Sequence, residues 1–226
     1  MCKKFFIISL SVVFILLVFS RCSTSGEKLV SQGMIEYSAA VVDKSSMVAN
    51  LAPTKMTIKF KDNVCFGEMS TGMGFFRTAF VSDPHSKTLT QMVNLLGKKY
   101  WNQLNETDIN KDNSDYNFDI NETKDTKMIA GLKCKKAIVH HKSGDEPDFE
   151  VYYTDELGIE NPNFANPFNK IKGVLMEYKF KKFGLEMKFV ATSVTKYPVD
   201  EKDFQVPAYY KKISKKEMND LFVGLQ

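Results

Sequence analysis

The sequence predicts a mainly β fold: a curved antiparallel sheet or half-barrel with a few short helices and one helix at the C-terminus. Two observations carry this. Apolar and polar residues alternate with a period of two, as in Met56, Ile58 and Phe60 against Thr57, Lys59 and Lys61, and in Leu185, Met187 and Phe189 against Glu186 and Lys188. Gly, Asn, Asp and Pro separate such runs, whereas helical stripes are scarce.

In chain order, Lys3 and Lys4 precede an apolar run from Phe5 to Phe19 that is broken only by two serines. The run is shorter than the about 20 residues that span a bilayer, and its parts stand in the order of a secretory signal. After Cys22 the chain turns to Ser-Thr-Ser-Gly, the composition of a flexible tether. This divides the chain into a signal over 1–21, a tether over 22–31 and a single β-rich domain over 32–226, long enough for one core. Extended segments are expected over 33–42, 73–82, 86–95, 132–142, 148–154 and 173–182, besides the two alternating runs above. The stretch NPNFANPFNKIKG over 161–173 places Phe164 and Phe168 four apart, but its two prolines argue for a packed loop. Ser214 followed by Glu217 is a capping box, and Met218, Leu221 and Phe222 form one stripe of the helix it opens.

The N-terminal segment resembles a bacterial lipoprotein signal, in which a cysteine just after the apolar region is acylated and becomes the mature N-terminus. That cysteine would be Cys22. Phe19 and Arg21 depart from the usual Leu and Gly or Ala of such signals. The alternative is a cut after Ser25, with Ser23 and Ser25 as the small residues, which would release a soluble protein. Further on, INETKDTKMIAGLKCKKA over 120–137 is similar to a strand, turn and strand of a group of bacterial lipoproteins of unassigned function. Their domain is related to the carriers of the lipoprotein-localisation system. VYYTDELGIENPNFANPFNKIKGVLMEY over 151–178 is similar to a second block of that group, in which a tyrosine-threonine pair precedes a loop and a Gly-led apolar strand. The resemblance implies a half-barrel whose concave face is covered by short helices and can accept acyl chains. It also implies a place in the envelope of a Gram-negative bacterium, lipid-anchored at the outer membrane and facing the periplasm.

Charge narrows the partners. Losing Lys3, Lys4 and Arg21 leaves twenty-eight cations against twenty-seven acids, so the formal charge of +4 falls to +1. A nearly neutral chain offers no basic stripe for nucleic acid. The lysines at 211, 212, 215 and 216 read as a solubilising surface or, less simply, as a contact with anionic lipid heads.

Candidate apolar ligand-binding residues are Met56, Ile58, Phe60, Leu185, Met187 and Phe189 on strands and Phe164 and Phe168 in the loop, with Phe75 and Met176 beside them. Methionine adapts to irregular ligands, although Met and Phe at strand spacing also describe plain core. Chemical constellations fail on spacing. His140 and His141 are adjacent on a strand and face opposite ways, and Cys134 and His140 lie about 20 Å apart along one. No catalytic residues and no cofactor are expected. Once Cys22 is acylated, Cys65 and Cys134 either pair or lie separately buried. In DINKDNSDYNFD, Asp108, Asn110, Asp112 and Asp119 fall at calcium-loop positions, against which stands an ordinary polar hairpin or mobile loop. Asn105-Glu106-Thr107 and Asn121-Glu122-Thr123 match the glycosylation acceptor pattern, which means little on a bacterial route. The expected function is therefore a lipid-anchored envelope protein that binds a lipid, an acyl chain or a lipidated partner without catalysis. The alternative is a periplasmic or surface interaction module with a filled core.

Overall fold

The computed structural model describes residues 31–42, 52–71, 76–144, 146–182 and 185–223. The expected sheet is present. Its strands are β1 (Gln32–Val41), β2 (Lys55–Lys61), β3 (Val64–Ser70), β4 (Phe76–Asp83), β5 (Thr88–Leu95), β6 (Lys98–Leu104), β7 (Phe118–Ile129), β8 (Leu132–His141), β9 (Phe149–Thr154), β10 (Val174–Lys182), β11 (Leu185–Thr195) and β12 (Lys211–Lys212). Two helices, α1 (Glu106–Ser114) and α2 (Lys215–Val223), and a 3-10 turn at Glu201–Phe204 complete it.

All twelve strands form one sheet in the order β12-β6-β5-β4-β3-β2-β1-β11-β10-β9-β8-β7. β1 pairs with both β2 and β11, so two antiparallel meanders leave it in opposite directions. The far edges, β7 and the two-residue β12, do not meet, and the sheet stays an open half-barrel. β12 runs parallel to β6.

Register assigns the faces. The pairs Ile35 with Ile58, Phe60 with Cys65 and Phe189 with Ala39 lie side by side, so Ile35, Tyr37, Met56, Phe60, Cys65, Met187 and Phe189 share one inner face. They form the main core cluster together with Leu157, Ile159 and Met176. The 155–173 loop roofs the β7–β11 side: its Phe168 and Ile171 pack with Ala137, Val139, Val151 and Tyr153. The loop is held shut by Asn163, whose buried Nδ2 donates to the carbonyls of Ile171 at 2.8 Å and Gly173 at 2.9 Å. Beneath it, Tyr37 of β1 ties across to β10 by donating its hydroxyl to the Leu175 carbonyl at 2.9 Å.

Three strand pairings shift register, at Glu36/Tyr37, Leu175/Glu177 and Glu122/Thr126. Each extra residue kinks a strand and adds twist, which bends this arm of the sheet over the core. Pairings from β2 to β6 show no shift. Outer faces differ too. On the β7–β11 arm the outer face carries ion pairs, among them Glu177 with Lys127 at 2.6 Å and Lys188 at 2.7 Å. On β3 to β6 it carries an apolar patch beside the Glu68–Arg77 ion pair, and Phe204, Val206 and Tyr210 of the C-terminal segment cover that patch of Val64, Phe66, Ala79, Val81, Met92 and Trp101. Ion pairs from Lys59 to Asp203 at 3.0 Å and from Lys61 to Glu201 at 3.2 Å pin that segment down.

Two expectations are corrected. The 108–119 stretch is not a hairpin or loop: α1 takes Asp108 to Ser114, and Asp119 lies on β7. Asn105 caps α1 by accepting from the Asp108 amide at 2.9 Å, and Glu106 and Asp108 suit the positive end of the helix. The strands β3 and β6 stand where no extended segment was expected, because Gly67 interrupts the first and two lysines open the second. Gly67 is required by packing: a Cβ there would run into the Phe80 ring, which lies across the strand. The 161–173 loop and the Ser214–Glu217 box are found as expected; Glu217 accepts from the Ser214 amide at 2.7 Å, and Ser214 Oγ accepts from the Glu217 amide at 3.2 Å.

Candidate functional site

Of the described residues expected to hold a ligand, the strand residues share the inner face of the sheet and the others lie in the 155–173 loop, and most are sealed. Met56, Phe60, Met187 and Phe189 are buried in the main cluster, with Ile58 and Leu185 packed at its margin. Phe168 is buried between its loop and the sheet, and Phe164 of the same loop packs on Leu89, Leu104 and Ile109 at the other end of the inner face. Met176 is buried in the main cluster; Phe75 and Cys22 lie outside the described residues. Aromatic contacts run through the sealed part, from Tyr116 on Phe180 at 5.4 Å between centroids to Tyr178 on Phe189 at 5.1 Å. Such offset and edge contacts add to the cohesion of the packing.

The inner face of β2 to β6 is different. Following register from Ile58 through Gly67, Phe80 and Gln91 to Asn102, the inward positions of this arm include Met69, Phe76, Thr78, Val93, Leu95 and Tyr100. Val93 is buried, but Ile58, Met69, Phe76, Phe80, Leu95 and Tyr100 remain partly exposed. This is an apolar wall reached by solvent, next to a core that is not. Two short helices cover its β6 end. α1 lies on β5 and β6 with Ile109 buried against Leu89 and Leu104, and α2 lies on β6 with Met218 buried. Lys215 on α2 clasps them together by reaching Asp112 at 2.6 Å and Asp108 at 3.5 Å on α1. Of this wall the sequence marks only Ile58, because Gly67, Gln91 and Asn102 interrupt the apolar alternation further along; the signal available was the aromatic content of β4 and β6.

The calcium-loop residues do not converge. Asp108 and Asp112, one helical turn apart, both face Lys215, Asn110 is exposed, and Asp119 sits opposite His140 on β8. Among the described residues no group of three or more His, Cys, Asp and Glu could hold a metal ion. His140 and His141 do face opposite ways: His140 Nδ1 lies 2.7 Å from Asp148, while His141 Nε2 lies 3.4 Å from Glu146 and packs its ring against Phe118. Cys65 and Cys134 are free and separately buried. Burial pushes the Cys65 thiol up to about 12 and the Cys134 thiol up to about 11, so neither is a nucleophile near neutral pH.

A second concavity, a groove of about 440 Å³, opens on the outer face between β2 to β6 and the 3-10 turn. Its lining mixes Val64, Val81 and Phe204 with Asp62 and Asp83 and with the paired Lys61 and Glu201, which suits polar contacts rather than an acyl chain.

Fold and wall together define a mainly β half-barrel with a sealed core that extends from the β7–β11 arm across β1 to β2, and a part-covered apolar wall on the inner face towards β6. Comparison of the chain with models of known protein families finds no match, and neither does comparison with curated protein sequences.

Proposed function

We propose that this protein is a lipid-anchored envelope protein that binds an apolar ligand, a lipid or the acyl chain of a lipidated partner, on the inner wall of β2 to β6, and catalyses nothing. The observation that carries the reading is the half-exposed set Ile58, Met69, Phe76, Phe80, Leu95 and Tyr100 on the concave side of an open sheet. Apolar walls in concave sites are what small-molecule sites are made of, and Met69 supplies a side chain that reshapes around its contact. The anchor rests on the resemblance of the 1–22 segment to a lipoprotein signal, and with it the location at an outer membrane facing the periplasm. Among the described residues no helix is long and apolar enough to cross a membrane.

An interaction module with a filled interior is the second reading, favoured by the close packing of Met56, Phe60, Met187 and Phe189. Native mass spectrometry of the purified protein separates them: co-purifying lipid supports the carrier, and its repeated absence supports the module. Labelling cells with a clickable fatty acid tests the anchor. Label is expected on the wild type and not on Cys22→Ser, and an unlabelled wild type ends the lipoprotein reading.

A further inference from the structure

The apolar wall contains one side chain that the protein itself leaves unanswered. Asn102, on β6, points inward by register opposite Gln91 and is only 2% exposed. Neither its Nδ2 nor its Oδ1 has a hydrogen-bond partner. Buried polar groups in folded proteins are almost always paired, and leaving both halves of an amide unpaired forfeits stability without any packing advantage that Leu would not also give. The position is built rather than incidental. Tyr100 and Leu104 flank Asn102 on the inner face of the same strand, and α1 and α2 roof the β6 end and are clasped by Lys215.

The surrounding charges say what kind of group would answer it. From Cys65 to Leu104, the inward positions of β3 to β6 carry a single ionisable chain with a full charge, Lys98, which is exposed and about 13 Å along the strand from Asn102. Lys215 is neutralised by Asp108 and Asp112. A charged head group at Asn102 would therefore be desolvated without a counter-ion, whereas a neutral one loses little. Because Asn102 offers both an unpaired donor and an unpaired acceptor, the matching group must accept and donate at once.

We propose that Asn102 is the polar recognition residue of the wall and takes the neutral, hydrogen-bonding head of a long-chain ligand, an amide or a hydroxyl, while the chain lies along Tyr100, Phe80 and Met69. The proposal rests on the function proposed above and narrows it from any apolar ligand to one with an uncharged head that donates and accepts.

The test is displacement of the uncharged dye N-phenyl-1-naphthylamine from purified full-length protein by two ligands of equal chain length. Dodecanamide donates and accepts, whereas methyl dodecanoate only accepts. The wild type is expected to prefer the amide by about 10-fold, the scale of one or two neutral hydrogen bonds in a desolvated site. Asn102→Leu should remove the preference, weaken the amide more than the ester, which loses only the bond accepted from Nδ2, and melt no lower than the wild type, since an unpaired buried amide has been replaced by an apolar group of similar shape. Should the leucine variant not fold, Asn102→Ala carries the same displacement readout. Equal affinity for the two ligands in the wild type, or a preference that survives in the variant, overturns the proposal. So does a lowered melting temperature together with an intact preference, which would make the amide a partner of a structural water. Dye that binds but shows no preference sinks this assignment alone, whereas no binding of dye or ligand sinks the proposed function with it.

Discussion

The two arms that leave β1 solve the same problem differently. The β7–β11 arm, bent by register shifts, wraps its inner face around a loop whose Leu157, Ile159, Phe168 and Ile171 complete the core, and it leaves its outer face to ion pairs in water. The β2–β6 arm keeps an unbroken register, has the apolar patch of its outer face covered by the C-terminal segment, and leaves much of its inner face part-covered. Bulges and a long insertion thus go with closure, and a regular meander with an accessible wall. The methionines mark the contrast: Met187 is 6% exposed in the sealed core, and Met69, on the same face three strands away, is partly exposed.

Matched substitutions should break that symmetry. The largest effect is expected for Met187→Glu, which places a carboxylate where nothing can pair with it; the cost of more than about 4 kcal/mol should leave the protein unfolded by circular dichroism. Met69→Glu should cost only about 1–2 kcal/mol in urea titration, because its carboxylate can stay hydrated. Equal costs would mean that the two arms are sealed alike. Phe168→Ala should follow at about 3–5 kcal/mol, since the ring is fully enclosed and its loss leaves a cavity. Asn163→Ala should cost about 2 kcal/mol by stranding the Ile171 and Gly173 carbonyls, and it should raise hydrogen exchange across 155–173 while β4 to β6 stay protected.

Alkaline pH probes the sealed core in a graded way. The thiols of Cys65 and Cys134 are held above their ordinary value of 9.0, to about 12 and about 11, chiefly by burial, and burial also raises the Tyr37 and Tyr178 hydroxyls. Groups whose value is higher in the folded state stabilise it fully below the unfolded value and lose that contribution as pH rises through the folded one. The melting temperature should therefore fall progressively from about pH 9 to pH 12, and Cys65→Val should lessen the fall; a flat profile would place these groups in contact with water. At pH 8, iodoacetamide should label neither thiol before unfolding. The smallest effect is expected for Lys215→Ala. Its ion pairs are part-exposed, so stability should drop by under about 1 kcal/mol. Exchange at the α2 amides should nevertheless rise, because the clasp to α1 is gone.

How much of this was legible follows from what each segment buries. Strands whose side chains alternate cleanly between core and solvent, such as β1 and β11, announce themselves. β6 does not, because Trp101 is covered on the outer face while Asn102 is buried on the inner one, so that both neighbours count as interior. α1 was missed for a related reason: in Glu106–Ser114 only Ile109 is buried, and a nine-residue helix with one apolar anchor has no stripe to detect. Its legible signals were the Asn105 cap and the acidic first turn. The ligand-binding candidates were chosen for apolar alternation, which favours positions that pack completely. Alternation therefore led to Met187 and Phe189 in the closed core rather than to Phe80 and Tyr100, whose wall is interrupted by Gly67 and Asn102.

The central claim is that the β2–β6 wall takes up an apolar chain while the rest of the inner face stays shut. Titration of a fluorescent fatty acid into the wild type and into Phe80→Asp tests it most directly, because Phe80 stands in the middle of the wall and is partly exposed, so that the variant can fold. Saturable uptake by the wild type, lost in a Phe80→Asp protein with an unchanged circular dichroism spectrum, is the expected result. Uptake that is absent in the wild type, or undiminished in the folded variant, would contradict the account.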